Sequence, residues 1–135
     1  MSSLVLHLRK GEELRATALS IRFHTESRIE LTARARFLFG RQIMSADQAY
    51  SPARKIYFAL QLAYIATEEE RPIALASVRQ LVGTFDRPVL PDAVRELLHQ
   101  ALTAAEADEY YHAIKLARRA ILLEEATGLV ADYSR

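Results

Sequence analysis

The chain contains no cysteine in its 135 residues and only four glycines. The absence of cysteine excludes a disulfide framework, a thiolate zinc site and a cysteine nucleophile. There is no glycine-rich loop of the kind that holds phosphate, and no nucleophile elbow. The four histidines, His7, His24, His99 and His112, share no metal-ligand spacing. We therefore expect a protein that is not an enzyme and that holds no metal or cofactor.

Long apolar segments are also missing. The N-terminus lacks the basic segment and apolar core of a signal peptide. The longest nearly pure apolar run, residues 56–66, has Gln61 as its single polar residue and is too short to span a bilayer. The run predicts a buried helix, and we expect a cytoplasmic protein with no membrane partner.

Net charge is only +1, but the two halves of the sequence differ. Residues 1–60 carry ten Lys or Arg against five acids, whereas residues 61–135 carry eight against twelve. Such asymmetry suggests an anion-binding N-terminal half.

The first forty residues alternate apolar and polar side chains with period two, which predicts four or five short strands that each bury one face. The inward positions are Leu4, Leu6, Leu8, Leu19, Ile21, Phe23, Ile29 and Leu31. Turn residues separate the segments, with Gly11 in the first turn and Gly40 in the last. The sequence therefore predicts a small antiparallel sheet.

After Met44 the period changes to 3.6, and Ser51-Pro52 is a strong helix start. Further helices are predicted to begin at Pro72, at Pro91-Asp92 and near Asp108. Small residues in 104–120 predict a tight helical hairpin. The expected fold class is α+β: a small N-terminal antiparallel β-sheet lobe, residues 1–45, followed by a C-terminal α-helical bundle lobe, residues 46–135.

Basic residues recur through the predicted sheet, most densely in the stretch RIELTARARFLFGRQIM at 28–44. They fit a solvated sheet face, an ion-pair lattice or a surface for a polyanion. Period two predicts that they point outward, and the guanidinium fork suits phosphate. The candidate RNA-binding residues are Arg9, Lys10, Arg22, Arg28, Arg34, Arg36 and Arg41.

Several blocks of the sequence resemble the FlbT family of flagellar biosynthesis repressors. They are SSLVLHLRKGEELR, IRFHTESRIELTARARFLFGRQIM and SPARKIYFALQLAYIATEEERP, and the similarity covers nearly the full length. The resemblance implies a cytoplasmic post-transcriptional regulator that binds the 5′ untranslated leader of flagellin mRNA. Such a regulator alters translation and decay of the message and couples them to flagellum assembly.

A second interpretation is a protein-interaction adaptor, in which the helical lobe binds a flagellar regulatory protein and the protein makes no direct RNA contact. In either case we expect a homo-oligomer, most simply a dimer. A second copy would bury apolar surface of the helix over 56–66 and would protect the unpaired edges of the small sheet from water. The helical lobe, residues 46–135, is the candidate surface for dimerisation or for a partner.

Overall fold

The computed structural model describes residues 4–16, 19–31 and 36–128. The chain divides into two compact units, Met1–Ile43 and Met44–Arg135. The first contains the strands and the second contains four helices, which confirms the predicted α+β order. No helix within the described ranges is both long and apolar enough to cross a membrane.

The first unit, hereafter the β unit, has five described strands in two small sheets. They are β1 (Leu4–Leu8), β2 (Glu13–Ala16), β3 (Leu19–Arg22), β4 (Ser27–Leu31) and β5 (Phe37–Phe39). One sheet pairs β1 with β4, and the other has the order β3-β2-β5. All described pairings are antiparallel, as the sequence predicts.

Leu4 lies opposite Leu31 in the β1–β4 ladder, and Ala16 lies opposite Leu19 in the β2–β3 ladder. The second ladder therefore continues the register of the first. The four strands therefore form a single long hairpin, whose regular strand geometry is interrupted at residues 9–12 and 23–26. This hairpin carries most of the basic candidates.

The interruption is built around Gly11, which has a φ of 88°. The Glu12 N–H donates to the Arg9 carbonyl at 3.0 Å, closing a type II turn that needs positive φ at its third residue. Gly11 N–H donates to the Phe23 carbonyl at 2.6 Å, and Phe23 N–H donates to the Glu12 carbonyl at 2.9 Å. Gly11 and Glu12 on one strand thus lie opposite the single residue Phe23 on the other, which is a β-bulge of the glycine type.

The prediction that every strand buries one face is wrong for β3. All four of its side chains are exposed, with 55% of Leu19 and 36% of Ile21 accessible to solvent. The physical reason is packing: among the described elements β3 packs mainly against β2, so neither of its faces is covered, whereas Leu14 on the central strand β2 is buried. In β5 the fully buried side chain is Leu38, between two half-buried phenylalanines.

The second unit, hereafter the helical unit, contains α1 (Pro52–Ile65), α2 (Arg71–Phe85), α3 (Asp92–Glu106) and α4 (Tyr110–Ala126). The predicted start of α1 is confirmed, because Ser51 Oγ accepts from the Arg54 N–H at 3.3 Å and Pro52 is the first helical residue. Helix α1 packs against α2 and α4, which explains why it is apolar on several sides.

Helices α3 and α4 form the predicted tight hairpin. Small side chains are buried on both helices: Ala101, Ala104 and Ala105 on α3, and Ala113, Ala117 and Ala120 on α4. Because alanine has no atoms beyond Cβ, the two backbones approach closely along this seam.

Candidate nucleic-acid interface

The β1–β4 ladder places one basic candidate on an open face. Arg28 lies directly opposite His7, and both side chains are exposed. Leu6 and Ile29 pair on the other face, where Leu6 is buried and Ile29 is half-buried. Period two therefore orients Arg28 outward, as expected, with an imidazole beside it.

Arg22 on β3 belongs to an ion-pair cluster. Its Nη2 lies 2.8 Å from Glu13 Oε1, and Arg15 Nε lies 2.7 Å from Glu13 Oε2. One carboxylate thus bridges two guanidinium groups, and Arg22 Nη1 also donates to the Gly11 carbonyl at 3.4 Å. Of the alternatives that the sequence left open, an ion-pair lattice describes Arg22. Because 60% of the Arg22 side chain is exposed, a phosphate can compete with Glu13.

Arg9 and Lys10 lie at the type II turn, and both are exposed. The Glu12 side chain accepts from the Arg9 backbone N–H at 2.7 Å. A Cβ added at Gly40 would lie 2.5 Å from Glu12 Oε2, so this carboxylate packs directly against the Gly40 backbone. The exposed Arg41 is the next residue after Gly40 in the sequence.

The remaining two candidates differ from these. Arg36 is half-buried just before β5, and Arg34 lies outside the described residues. The structure therefore places Arg9 and Lys10 at the turn, Arg41 next in sequence to the Gly40 that packs against Glu12 of this turn, and Arg28 on the exposed β1–β4 face. We call these four basic residues the basic surface.

Sequence reasoning missed the part that Glu13 and Arg15 play. Their i, i+2 spacing indicates that both side chains share one face of a strand, which was a usable signal. That Glu13 also meets Arg22 depends on the β2–β3 register, which pairs these two residues directly. Register is a tertiary property that the local pattern did not specify.

In the helical unit, two buried polar side chains form hydrogen bonds with backbone groups. The Gln61 amide accepts from the Met44 N–H at 2.7 Å and donates to the Met44 carbonyl at 2.9 Å. Its position as the single polar residue in an apolar run was a signal for such a role. Gln61 therefore fixes the segment that precedes α1.

Glu124 on α4 is the second buried polar group and has no exposed surface. It accepts hydrogen bonds from Ser51 Oγ and from the Ala53 N–H, the latter at 2.9 Å. Burial raises the pKa of Glu124, an effect that its hydrogen bonds to Ser51 and Ala53 and the nearby Arg54 charge oppose. The carboxylate thus accepts from one backbone donor in the first turn of α1, the Ala53 N–H, and so joins α4 to α1. This role is structural.

A pocket of about 340 Å³ lies where α2 ends, lined by Thr84, Phe85, Arg87, Val89 and Leu90. Beside it in sequence, the Asp86 carboxylate lies 3.5 Å from Arg95 Nη1 and 3.2 Å from His99 Nε2. Within the described residues, no group of three or more His, Cys, Asp or Glu side chains is placed to hold a metal ion. The pocket combines an apolar wall with one guanidinium group.

Comparison with known proteins gives the chain a family. The model of the family described as "Flagellar protein FlbT" matches residues 4–127. A protein of Mesorhizobium japonicum, the "Probable flagellum biosynthesis repressor protein FlbT", is 25% identical over 126 residues, which cover 91% of this chain and 83% of that protein. No solved structure matches the chain. Because the family match spans nearly all of the sequence, the chain belongs to the FlbT family of flagellar proteins.

Proposed function

We propose that this protein is a post-transcriptional regulator of flagellin synthesis that binds the 5′ untranslated leader of flagellin mRNA. Binding alters translation and decay of the message and so couples flagellin supply to flagellum assembly. Family membership supports the flagellar role, and the relative's name as a probable repressor supports a regulatory one. The protein acts in the cytoplasm as a binding protein and performs no catalysis.

The observation that carries this proposal is the basic surface of the β unit. Arg9 and Lys10 are exposed at the turn, Arg41 is exposed beside the Gly40 that packs against Glu12 of this turn, and Arg28 is exposed on one face of β1–β4. A guanidinium group donates two parallel hydrogen bonds to phosphate oxygens, and exposed cations release counterions when they bind a polyanion. His7 beside Arg28 offers a flat ring on which an unpaired base can stack.

Binding to a synthetic flagellin leader, measured across a salt series, tests the proposal. We expect the variant with Arg9, Lys10, Arg28 and Arg41 all replaced by Gln to bind more weakly than the parent chain. The slope of log affinity against log salt should flatten by roughly 0.7 for each single-strand phosphate that the variant no longer neutralises. The four side chains are exposed, so their replacement removes no core atom.

A matched control changes the same number of charges in the helical unit. Arg79, Arg87, Lys115 and Arg119 are all exposed there. Replacing these four by Gln should leave the affinity and the salt slope close to those of the parent. If both quadruple variants weaken binding equally, the interaction follows total charge, and the assignment to the basic surface is wrong.

The pocket at the end of α2 favours a second candidate function, the protein-interaction adaptor. Val89 on its rim is 61% exposed, and Ile73 near the start of α2 is 74% exposed. Under this alternative the helical unit binds a flagellar protein and the chain makes no direct RNA contact. Binding through an apolar pocket depends little on salt, whereas phosphate contacts weaken steeply as salt rises. A purified chain with no measurable affinity for the leader would favour the adaptor.

A further inference from the structure

The outer edge of β3 has the features of an association surface. β3 ends the sheet order β3-β2-β5, so β2 is its one strand neighbour among the residues that the structure describes. Its aliphatic side chains, Leu19 and Ile21, are 55% and 36% exposed. An open strand edge with exposed aliphatic side chains favours pairing with another strand.

The hydrogen-bond pattern shows which backbone groups this edge offers. Phe23 exchanges backbone hydrogen bonds with Gly11 and Glu12, so its N–H and C=O face the β2 side. In an antiparallel ladder such positions alternate, so Ile21 and Leu19 also direct their backbone groups toward β2. The N–H and C=O groups of Ser20 and Arg22 therefore point away from the sheet. The edge presents two donors and two acceptors.

We propose that β3 pairs antiparallel with β3 of a second copy of this chain, about a two-fold axis that passes beside Ile21. In this register Ser20 lies opposite Arg22 of the second copy, and Arg22 lies opposite its Ser20. The four outward-facing groups of each copy then form four hydrogen bonds between the two strands. The two three-stranded sheets become one sheet of six strands.

The side chains of β3 are complementary to themselves in this register. Ile21 lies opposite Ile21 of the second copy, and Leu19 lies opposite its Phe23, so apolar residues meet on one face. On the other face each Arg22 lies opposite a serine, and like charges are not opposed. A shift by one residue would instead set Leu19 opposite Arg22 and mix the two faces.

The pairing also extends an apolar row that is already present. Ile21 lies opposite Leu14 in the β2–β3 ladder, and Leu14 lies opposite Phe39 in the β2–β5 ladder. The row ends at the open edge, where Ile21 is exposed. A second β3 continues it without a break through its own Ile21, Leu14 and Phe39. This continuity identifies a second copy of the chain as the occupant of the edge.

Substitutions that place opposite charges at Ile21 test the proposal without any RNA. The outcome of this experiment is therefore independent of the proposed function. Light scattering at micromolar concentration should give the parent chain twice its 15.3 kDa mass. Ile21→Lys and Ile21→Glu should each be monomeric, because a charge on the axis opposes its own copy. An equimolar mixture of the two variants should recover the dimer mass, because Lys then opposes Glu.

A backbone variant tests the same edge without adding charge. Ser20→Pro removes one outward N–H but leaves the bonds to β2, since proline is tolerated where the N–H faces away from the sheet. We expect a monomer with the parent's circular dichroism spectrum, whereas the control Ser20→Thr stays dimeric. A parent chain that is monomeric, charged variants that remain dimeric, or a mixture that remains monomeric would each overturn the proposal.

Discussion

At the scale of single residues, Glu124 links the stability of the helical unit to pH. Burial raises its pKa above the ordinary value of 4.5, so the folded chain binds this proton more tightly than the unfolded chain. The contribution of this group to stability is therefore fully present below pH 4.5 and is lost as pH rises through the folded-state pKa. The ionised form remains tolerated because Ser51 and Ala53 donate to it.

Replacing Glu124 by Gln removes the titrating group and retains a side chain of similar size. We expect the stability of the parent relative to Glu124→Gln to fall as pH rises above 4.5 and through the raised folded-state pKa, because the parent alone must release this proton. Urea unfolding at several pH values measures this difference. A difference that is constant with pH would show that Glu124 has the same pKa in the folded and unfolded chains.

The Glu13 carboxylate contacts both Arg15 and Arg22, so it competes with any anionic ligand for these two guanidinium groups. Replacing Glu13 by Gln should increase affinity for the leader RNA roughly fivefold, which is about 1 kcal/mol, the scale of an exposed ion pair. Glu106→Gln is the matched control, because Glu106 pairs with Arg79 in the helical unit. Equal effects of the two substitutions would contradict a special role for the Glu13 cluster.

At the scale of secondary-structure elements, strong local signals predicted the helices well. Ser51-Pro52 begins α1, Pro72 is the second residue of α2, and Pro91 directly precedes α3. These signals succeed because capping and proline geometry act within a few residues. The predicted orientation of Arg28 rests on equally local physics, the period of a strand.

Two features of the sheet depended on packing and register. β3 has the same alternating pattern as a half-buried strand, yet it packs mainly against β2 among the described elements, and Leu19 and Ile21 stay exposed. The pairing of Arg22 with Glu13 likewise follows from residues nine positions apart meeting across a ladder. Single-sequence periodicity contains neither piece of information, so the burial of β3 and the ion-pair cluster could not be predicted from it.

The positive φ of Gly11, in the turn that interrupts the long hairpin, predicts how an alanine substitution there changes stability. Gly11 has a φ of 88° with open space around it, whereas Gly83 lies in α2, also with open space around it. Gly11→Ala should destabilise the chain by about 1 kcal/mol through backbone strain alone. Gly83→Ala should stabilise it by about 0.5–1 kcal/mol, because alanine favours a helix interior. Equilibrium unfolding distinguishes the signs, and equal effects at the two positions would contradict the turn assignment.

At the scale of the whole molecule, the proposed function assigns RNA binding to the β unit. The helical unit, with its pocket at the end of α2, then remains available to other partners. The net charge of +1 means that attraction to RNA depends on where the cations lie more than on their total. The regulator and adaptor interpretations therefore differ in which of the two units contacts the regulated molecule.

The most direct test of the central claim is crosslinking of the protein to RNA in living cells, followed by sequencing of the recovered RNA. We predict enrichment of the flagellin leader with the parent chain, and loss of that enrichment when Arg9, Lys10, Arg28 and Arg41 are replaced by Gln. The control with four helical-unit cations replaced should recover the leader as the parent does. Recovery of no flagellin leader by the parent, or equal recovery by the basic-surface variant, would contradict direct binding through the β unit.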